Sequence, residues 1–135
     1  MLDKEIAECC KGLRLSRNLV EMAQSLSGES HQEYLYNLLS SELEYRKKVR
    51  IEKLVSSAGF YAIKTFEGYS FDDVTMPSDL TVEALKSLEF VHDKKNIIMY
   101  GGTGTGKTML STALGVTACK QDIPVKFFRT ATLVN

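Results

Sequence analysis

The run Gly101-Gly102-Thr103-Gly104-Thr105-Gly106-Lys107-Thr108 constrains this chain more than any other segment. Its glycines mark a tight backbone turn, and the flanking segments say where that turn sits. Ahead of it, Ile97-Ile98-Met99-Tyr100 is a continuous apolar run, the pattern of a strand covered on both faces. Behind it, Leu110, Ala113, Leu114, Thr117 and Ala118 recur at helical spacing and share one face. Asp122-Ile123-Pro124 breaks that helix, and Val125-Lys126-Phe127-Phe128 reads as a second strand. Strand, helix, strand is a βαβ order, so this part of the chain is expected to be α/β.

The same run matches the phosphate-loop pattern G-x-x-x-x-G-K-[ST]. Glycines at 101, 104 and 106 bring backbone N–H groups against a polyphosphate with no Cβ in the way. The following helix points the positive end of its dipole at the same charges. Lys107 supplies a point charge to the β- and γ-phosphates, and the Thr108 hydroxyl is placed to ligate Mg²⁺. A chance glycine-rich turn is the alternative. The strand before it and the helix after it argue against chance, because they are the context the motif requires.

About 100 residues precede this loop, and composition bounds what they can be. Of 135 residues, 44% are hydrophobic and 25% charged, the balance of a globular protein rather than a disordered or collagenous one. No apolar run approaches the ~20 residues of a membrane span. Met1-Leu2-Asp3-Lys4-Glu5 lacks the apolar stretch of a secretory signal. Lys+Arg and Asp+Glu are 17 each, which argues against a strongly basic nucleic-acid binder but leaves room for local patches. Three cysteines, two of them adjacent (Cys9 and Cys10), do not form a disulfide framework; reduced thiols in a cytoplasmic protein are the expectation.

Residues 1–59 read as a helical domain. Ile6, Cys9, Cys10 and Leu13 form one face of a first helix ending near Gly12. Leu19, Val20, Met22, Ala23 and Leu26 mark a second, stopped by Ser27-Gly28. Ser30 followed by Glu33 is a capping box for a third, which runs to Ala58 with Gly59 as its C-cap. Residues 60–80 form an aromatic-rich connector containing Phe60, Tyr61, Phe66, Tyr69 and Phe71. Thr81 then caps a helix over 81–92, with Val82, Leu85, Leu88 and Val91 inward.

Residues 60–135 resemble the start of an AAA+ ATPase module of the IstB/DnaC type. The resemblance rests on Phe66-x-x-Tyr69-x-Phe71-Asp72, the run 97–100, the glycine loop, Leu110-Ser111-Thr112-Ala113-Leu114-Gly115, residues 125–128, and Thr130-Ala131-Thr132-Leu133-Val134. The helical region is similar to that of IstB-like transposase helpers through Tyr34-Leu35-x-x-Leu38-Leu39-x-x-Glu42-x-x-x-Arg46, then Arg50, and the exit Ala58-Gly59-Phe60. Gly102 departs from the family's usual proline. The resemblance implies a fold: a helical N-terminal domain over 1–59, then over 60–135 the beginning of a three-layer α/β phosphate-loop NTPase module, incomplete at this length. It also implies ATP and Mg²⁺ as ligands, and duplex DNA, a partner transposase and copies of the same chain as partners, with no membrane. A DnaC-like helicase loader and an inactive truncated remnant are the alternatives.

The resemblance raises a question about DNA contacts. Arg46, Arg50 and Lys53 lie on one helical stripe with Lys47 and Lys48 beside it, a pattern that can face DNA phosphates. Glu42–Arg46, Glu44–Lys48 and Lys48–Glu52 are equally ion-pair spacings on a solvated helix, so the residues leave both readings open. Arg46, Lys47, Arg50 and Lys53 are the DNA candidates. His31 and His92 fit no metal-ligand spacing, and Cys119 reads as core. Tyr69 and Phe71 are candidates to touch an adenine or to pack between regions. No apolar run ending in an acidic residue follows Thr108, and there is no polar sensor or arginine finger to name. In the AAA+ sheet, as the resemblance implies, the strands at 97–100 and 125–128 are not neighbours, so the first is expected to lack a partner.

Overall fold

The computed structural model describes residues 2–134; Met1 and Asn135, the ends of the two expected domains, lie outside them. Seven helices are assigned among these residues: α1 (Leu2–Gly12), α2 (Asn18–Ser25), α3 (His31–Ser57), α4 (Val82–Ser87), α5 (Glu89–His92), α6 (Lys107–Lys120) and α7 (Thr130–Leu133). The chain divides into two compact units, residues 1–50 and 51–135, with the division inside α3.

In the first unit α1 packs on α2, and Cys10 and Leu19 are buried. The Ser30 cap forms as the pattern requires: the Glu33 N–H donates to Ser30 Oγ at 3.1 Å, while Glu33 Oε2 accepts from the Glu29 N–H at 2.7 Å. The third helix then holds the other two through polar contacts. Tyr34 Oη donates to the Ala23 carbonyl at 2.8 Å, and Asn37 Nδ2 to that of Ser27 at 3.0 Å. The strongest tie is Glu42, only 3% exposed. Its carboxylate accepts from the Ser16 N–H (2.8 Å), the Ser16 hydroxyl and Arg46 Nε (2.7 Å). Arg46 also donates to the Arg14 carbonyl. The pair 42–46, one of the ion-pair spacings on α3, is thus half-buried and ties this helix to the turn between α1 and α2.

In the second unit the core is Leu85, Leu88, Leu110, Leu114 and Ala118, with Phe66, Tyr69, Phe71, Ile97, Met99 and Val125 packed around it. Burial on α6 is not confined to one face: Thr112, Val116 and Cys119 are buried as well as Leu110, Ala113, Leu114 and Ala118. Gly115 lies where the Phe60 ring crosses this helix; a Cβ there would stand 2.7 Å from two ring carbons. The helix expected over 81–92 is two helices. Thr81 caps α4 through a bond from the Ala84 N–H at 3.1 Å, but Leu88 takes φ +66° and divides α4 from α5. That conformation costs a leucine about 1–2 kcal/mol. Complete burial of its side chain, worth about 1.5–3 kcal/mol, offsets the strain.

The expected α/β three-layer architecture is not what the structure holds: among the described residues there is no strand and no sheet. A strand exists through its ladder bonds to a neighbour. Neither 97–100 nor 125–128 has such a ladder among the described residues; the Phe127 N–H donates instead to the carbonyl of Ala58 at 2.7 Å. Both segments keep a period-2 burial pattern. Ile97 and Met99 pack on the core, while Ile98 is 87% and Tyr100 94% exposed. The apolar run at 97–100 is therefore covered on one side, not both.

Candidate functional site: the glycine loop ahead of α6

The loop 101–106 leads into α6, whose first helical residue is Lys107. Gly104 (φ +80°) and Gly106 (φ +83°) both lie in the left-handed region, and Gly106 is the N-cap of α6. A side chain at either position would be strained, so the loop's path depends on glycine. The Leu110 N–H donates to the Gly106 carbonyl at 2.9 Å, the first bond of the helix. The N–H groups of the helix's first turn have no partner within the helix.

Lys107 lies across this loop. Its ammonium donates to the carbonyls of Gly101 (2.9 Å) and Gly102 (2.5 Å) and to Thr105 Oγ1 (3.2 Å). Thr105 Oγ1 in turn donates to the Gly102 carbonyl at 2.9 Å. Gly102, where the family pattern differs, contributes a carbonyl that two side chains use. Thr103 and Thr108 are exposed, and the Thr108 carbonyl accepts from Ser111 Oγ at 3.0 Å and Thr112 Oγ1 at 2.7 Å. These bonds fix the first turn, and Thr108 itself stays exposed. The eight loop residues named from sequence therefore stand together at one helix terminus.

A cavity of about 590 Å³ opens beside the loop. Gly101, Thr105 and Lys107 form one edge, and Tyr69, Met76 and Phe90 are among its apolar walls. Tyr69 is half-buried, and its ring lies against the backbone at Gly106: a Cβ there would be 3.4 Å from Tyr69 Cε2. Sequence reasoning singled out Tyr69 but not this contact, and no local signal gives it.

The DNA candidates all lie on α3, with Lys53 in the second unit and the others in the first. Lys47 and Lys53 are exposed. Arg46 is engaged by Glu42 and by the Arg14 carbonyl. Cys9, Cys10 and Cys119 are free thiols, and burial pushes the Cys119 thiol up from its ordinary pKa, as suits a core residue. No helix among the described residues is long and apolar enough to cross a membrane.

A family model described as IstB-like ATP binding protein matches residues 13–135. Similar proteins include those named as ATP-binding proteins of insertion sequence IS5376 in Geobacillus stearothermophilus (27% identical over 106 residues) and IS1162 in Pseudomonas fluorescens (31% over 107). A third, named likewise from an insertion sequence of Mycobacterium tuberculosis, is 25% identical over 138 residues. These matches cover 78%, 78% and 98% of this chain but only 42%, 46% and 55% of the respective relatives. The chain thus spans about half the length of the proteins it matches.

Proposed function

The chain belongs to the IstB-like ATP-binding protein family, and on that premise we propose that residues 101–108 bind the polyphosphate of ATP for an insertion-sequence transposition helper. Backbone N–H groups of Gly101, Gly102, Thr103, Gly104, Thr105 and Gly106 cradle the phosphates, together with the first turn of α6. Lys107 turns from the loop carbonyls to the β- and γ-phosphates, exchanging neutral acceptors for charged ones, which make stronger hydrogen bonds. Thr108, exposed at the same terminus, is the residue whose hydroxyl would hold Mg²⁺. The donor set suits this ion, since a hard cation takes oxygen ligands and retains waters of its own. An ion held there would supply charge neutralisation to the polyphosphate.

The observation that carries this reading is the loop itself: glycines in the left-handed region at 104 and 106, capping a buried 14-residue helix, with the Lys107 ammonium held over the loop. The wider role is ATP-dependent binding of duplex DNA by an oligomer of the whole protein and activation of a partner transposase. Arg46, Lys47, Arg50 and Lys53 are its DNA contacts, and Arg46 is also engaged by Glu42. The relatives' names, all from insertion sequences, favour this reading over a helicase loader. Calorimetric titration of the chain with ATP and Mg²⁺ tests it. Lys107→Ala is expected to weaken binding at least about tenfold, the loss of one charged hydrogen-bonding partner. Equal affinity in the variant would contradict the assignment.

A further inference from the structure

The aromatic connector ends against the phosphate loop, and its contacts form a continuous series. The Lys86 ammonium on α4 sits over the rings of Phe66 (5.5 Å) and Phe71 (5.1 Å). Phe66 and Phe71 are 6.0 Å apart, and Phe71 meets Tyr69 edge-to-face at 4.9 Å and 74°. A turn bond from the Tyr69 N–H to the Phe66 carbonyl at 3.1 Å fixes the backbone between them. Tyr69 is the last ring of the series, and its hydroxyl edge lies beside Gly106. Measured from the Cβ position at Gly106, Tyr69 Cε2 lies at 3.4 Å and Oη at 3.5 Å.

Gly106 is the point at which the loop turns into α6. Its backbone is in a region that glycine shares between several conformations at little cost, so the residue does not hold itself in place. A ring whose hydroxyl edge stands beside that turn narrows the alternatives. We propose that Tyr69 is a positioning residue of the phosphate loop: its ring, braced by Phe71, Phe66 and Lys86, holds Gly106 so that the loop and first-turn N–H groups converge before any ligand arrives. This rests on the nucleotide reading given above and adds a residue outside the motif to the binding machinery. It differs from a base-contacting role, although Tyr69 also lines the adjoining cavity. A residue that acts through the loop affects every ligand of the loop, with or without a base.

Inorganic tripolyphosphate separates the two, because it presents phosphates and no base. Binding of ATP and of tripolyphosphate, each with Mg²⁺, would be measured on the full chain and on Tyr69→Ala, Tyr69→Phe and Tyr69→Leu. Tyr69→Ala is expected to weaken both ligands by the same factor, about tenfold, the effect of a loop released from its productive geometry. Tyr69→Phe, the conservative variant, restores both. Tyr69→Leu fills part of the ring's volume and carries the same comparison should the alanine variant fail to fold, as judged by circular dichroism. Unchanged tripolyphosphate affinity in a folded variant overturns the proposal, whether ATP binding falls (a base wall) or holds (packing only). Lys107→Ala run in parallel distinguishes the levels: if it loses ATP while Tyr69→Ala does not, only the positioning role fails. If Lys107→Ala retains ATP, the nucleotide reading itself fails.

Discussion

Replacing Glu42 by alanine should loosen the first unit far more than its place on a charged helix suggests. Glu42 is 3% exposed, and its carboxylate receives two hydrogen bonds from Ser16 and one from Arg46. Bonds to a charged acceptor contribute about 1.5–3 kcal/mol each, but they share one acceptor and are not additive. Ser16 is half-buried, so its donors partly recover water once the carboxylate is gone. The Arg46 side chain is 48% exposed, so its pair adds no more than about 1 kcal/mol. The net loss is about 2–3 kcal/mol. Amide hydrogen exchange on peptides from residues 2–50 isolates this unit, and its slowest amides should exchange about 30- to 140-fold faster. Burial pushes the Glu42 carboxyl up, but the bonds from Ser16, side chain and backbone, and the bond and charge of Arg46 outweigh it and leave the pKa below its ordinary value. A carboxyl lowered in the folded state stabilises above its unfolded pKa and loses that contribution as pH falls through the folded one. The acid weakening of the native unit should therefore be smaller in Glu42→Gln. Glu44→Ala, an exposed neighbour, is the control. If Glu42→Ala exchanges no faster than that control, the buried-carboxylate reasoning is wrong.

Three further outcomes are expected. Leu88→Ala removes a fully buried side chain at the junction of α4 and α5 and should cost the second unit about 2–4 kcal/mol by urea unfolding; a cost under about 0.5 kcal/mol would mean the core does not rest on it. Thr108→Ala should leave metal-free ATP binding in place and abolish most of the gain on adding Mg²⁺ in the same titration, whereas an unchanged gain would remove Thr108 as a ligand. On duplex DNA, Lys47→Ala and Lys53→Ala should each lower the salt slope of fluorescence-anisotropy binding by about 1, and unchanged slopes would take DNA off this part of α3.

The helices of the first unit were legible because their signals are local: apolar spacing, the Ser30–Glu33 cap and the stop at Gly28 all lie within a few residues. The loop was legible for the same reason, since its glycines and its lysine are adjacent in sequence. What failed depends on distant residues. The strands at 97–100 and 125–128 carry the right composition, but a strand forms only with a neighbour, and composition does not supply one. Leu88 looked like one more inward residue of a single helix. Its left-handed conformation answers to the pocket it fills, which the periodicity of 81–92 does not encode. Glu42 looked like half of a surface ion pair because its main partner, Ser16, is 26 residues away. The motif assigns Lys107 to phosphates, whereas its partners in the structure are its own loop carbonyls.

The most direct test of phosphate binding by residues 101–108 is hydrogen exchange on peptides spanning this loop and the first turn of α6, with ATP and Mg²⁺ against AMP. Slowed exchange there with ATP, absent with AMP and lost in Lys107→Ala, is the expected result, because the N–H groups of that turn have no partner within the helix until a polyphosphate accepts from them. No change in those peptides, or equal slowing by AMP, would contradict it.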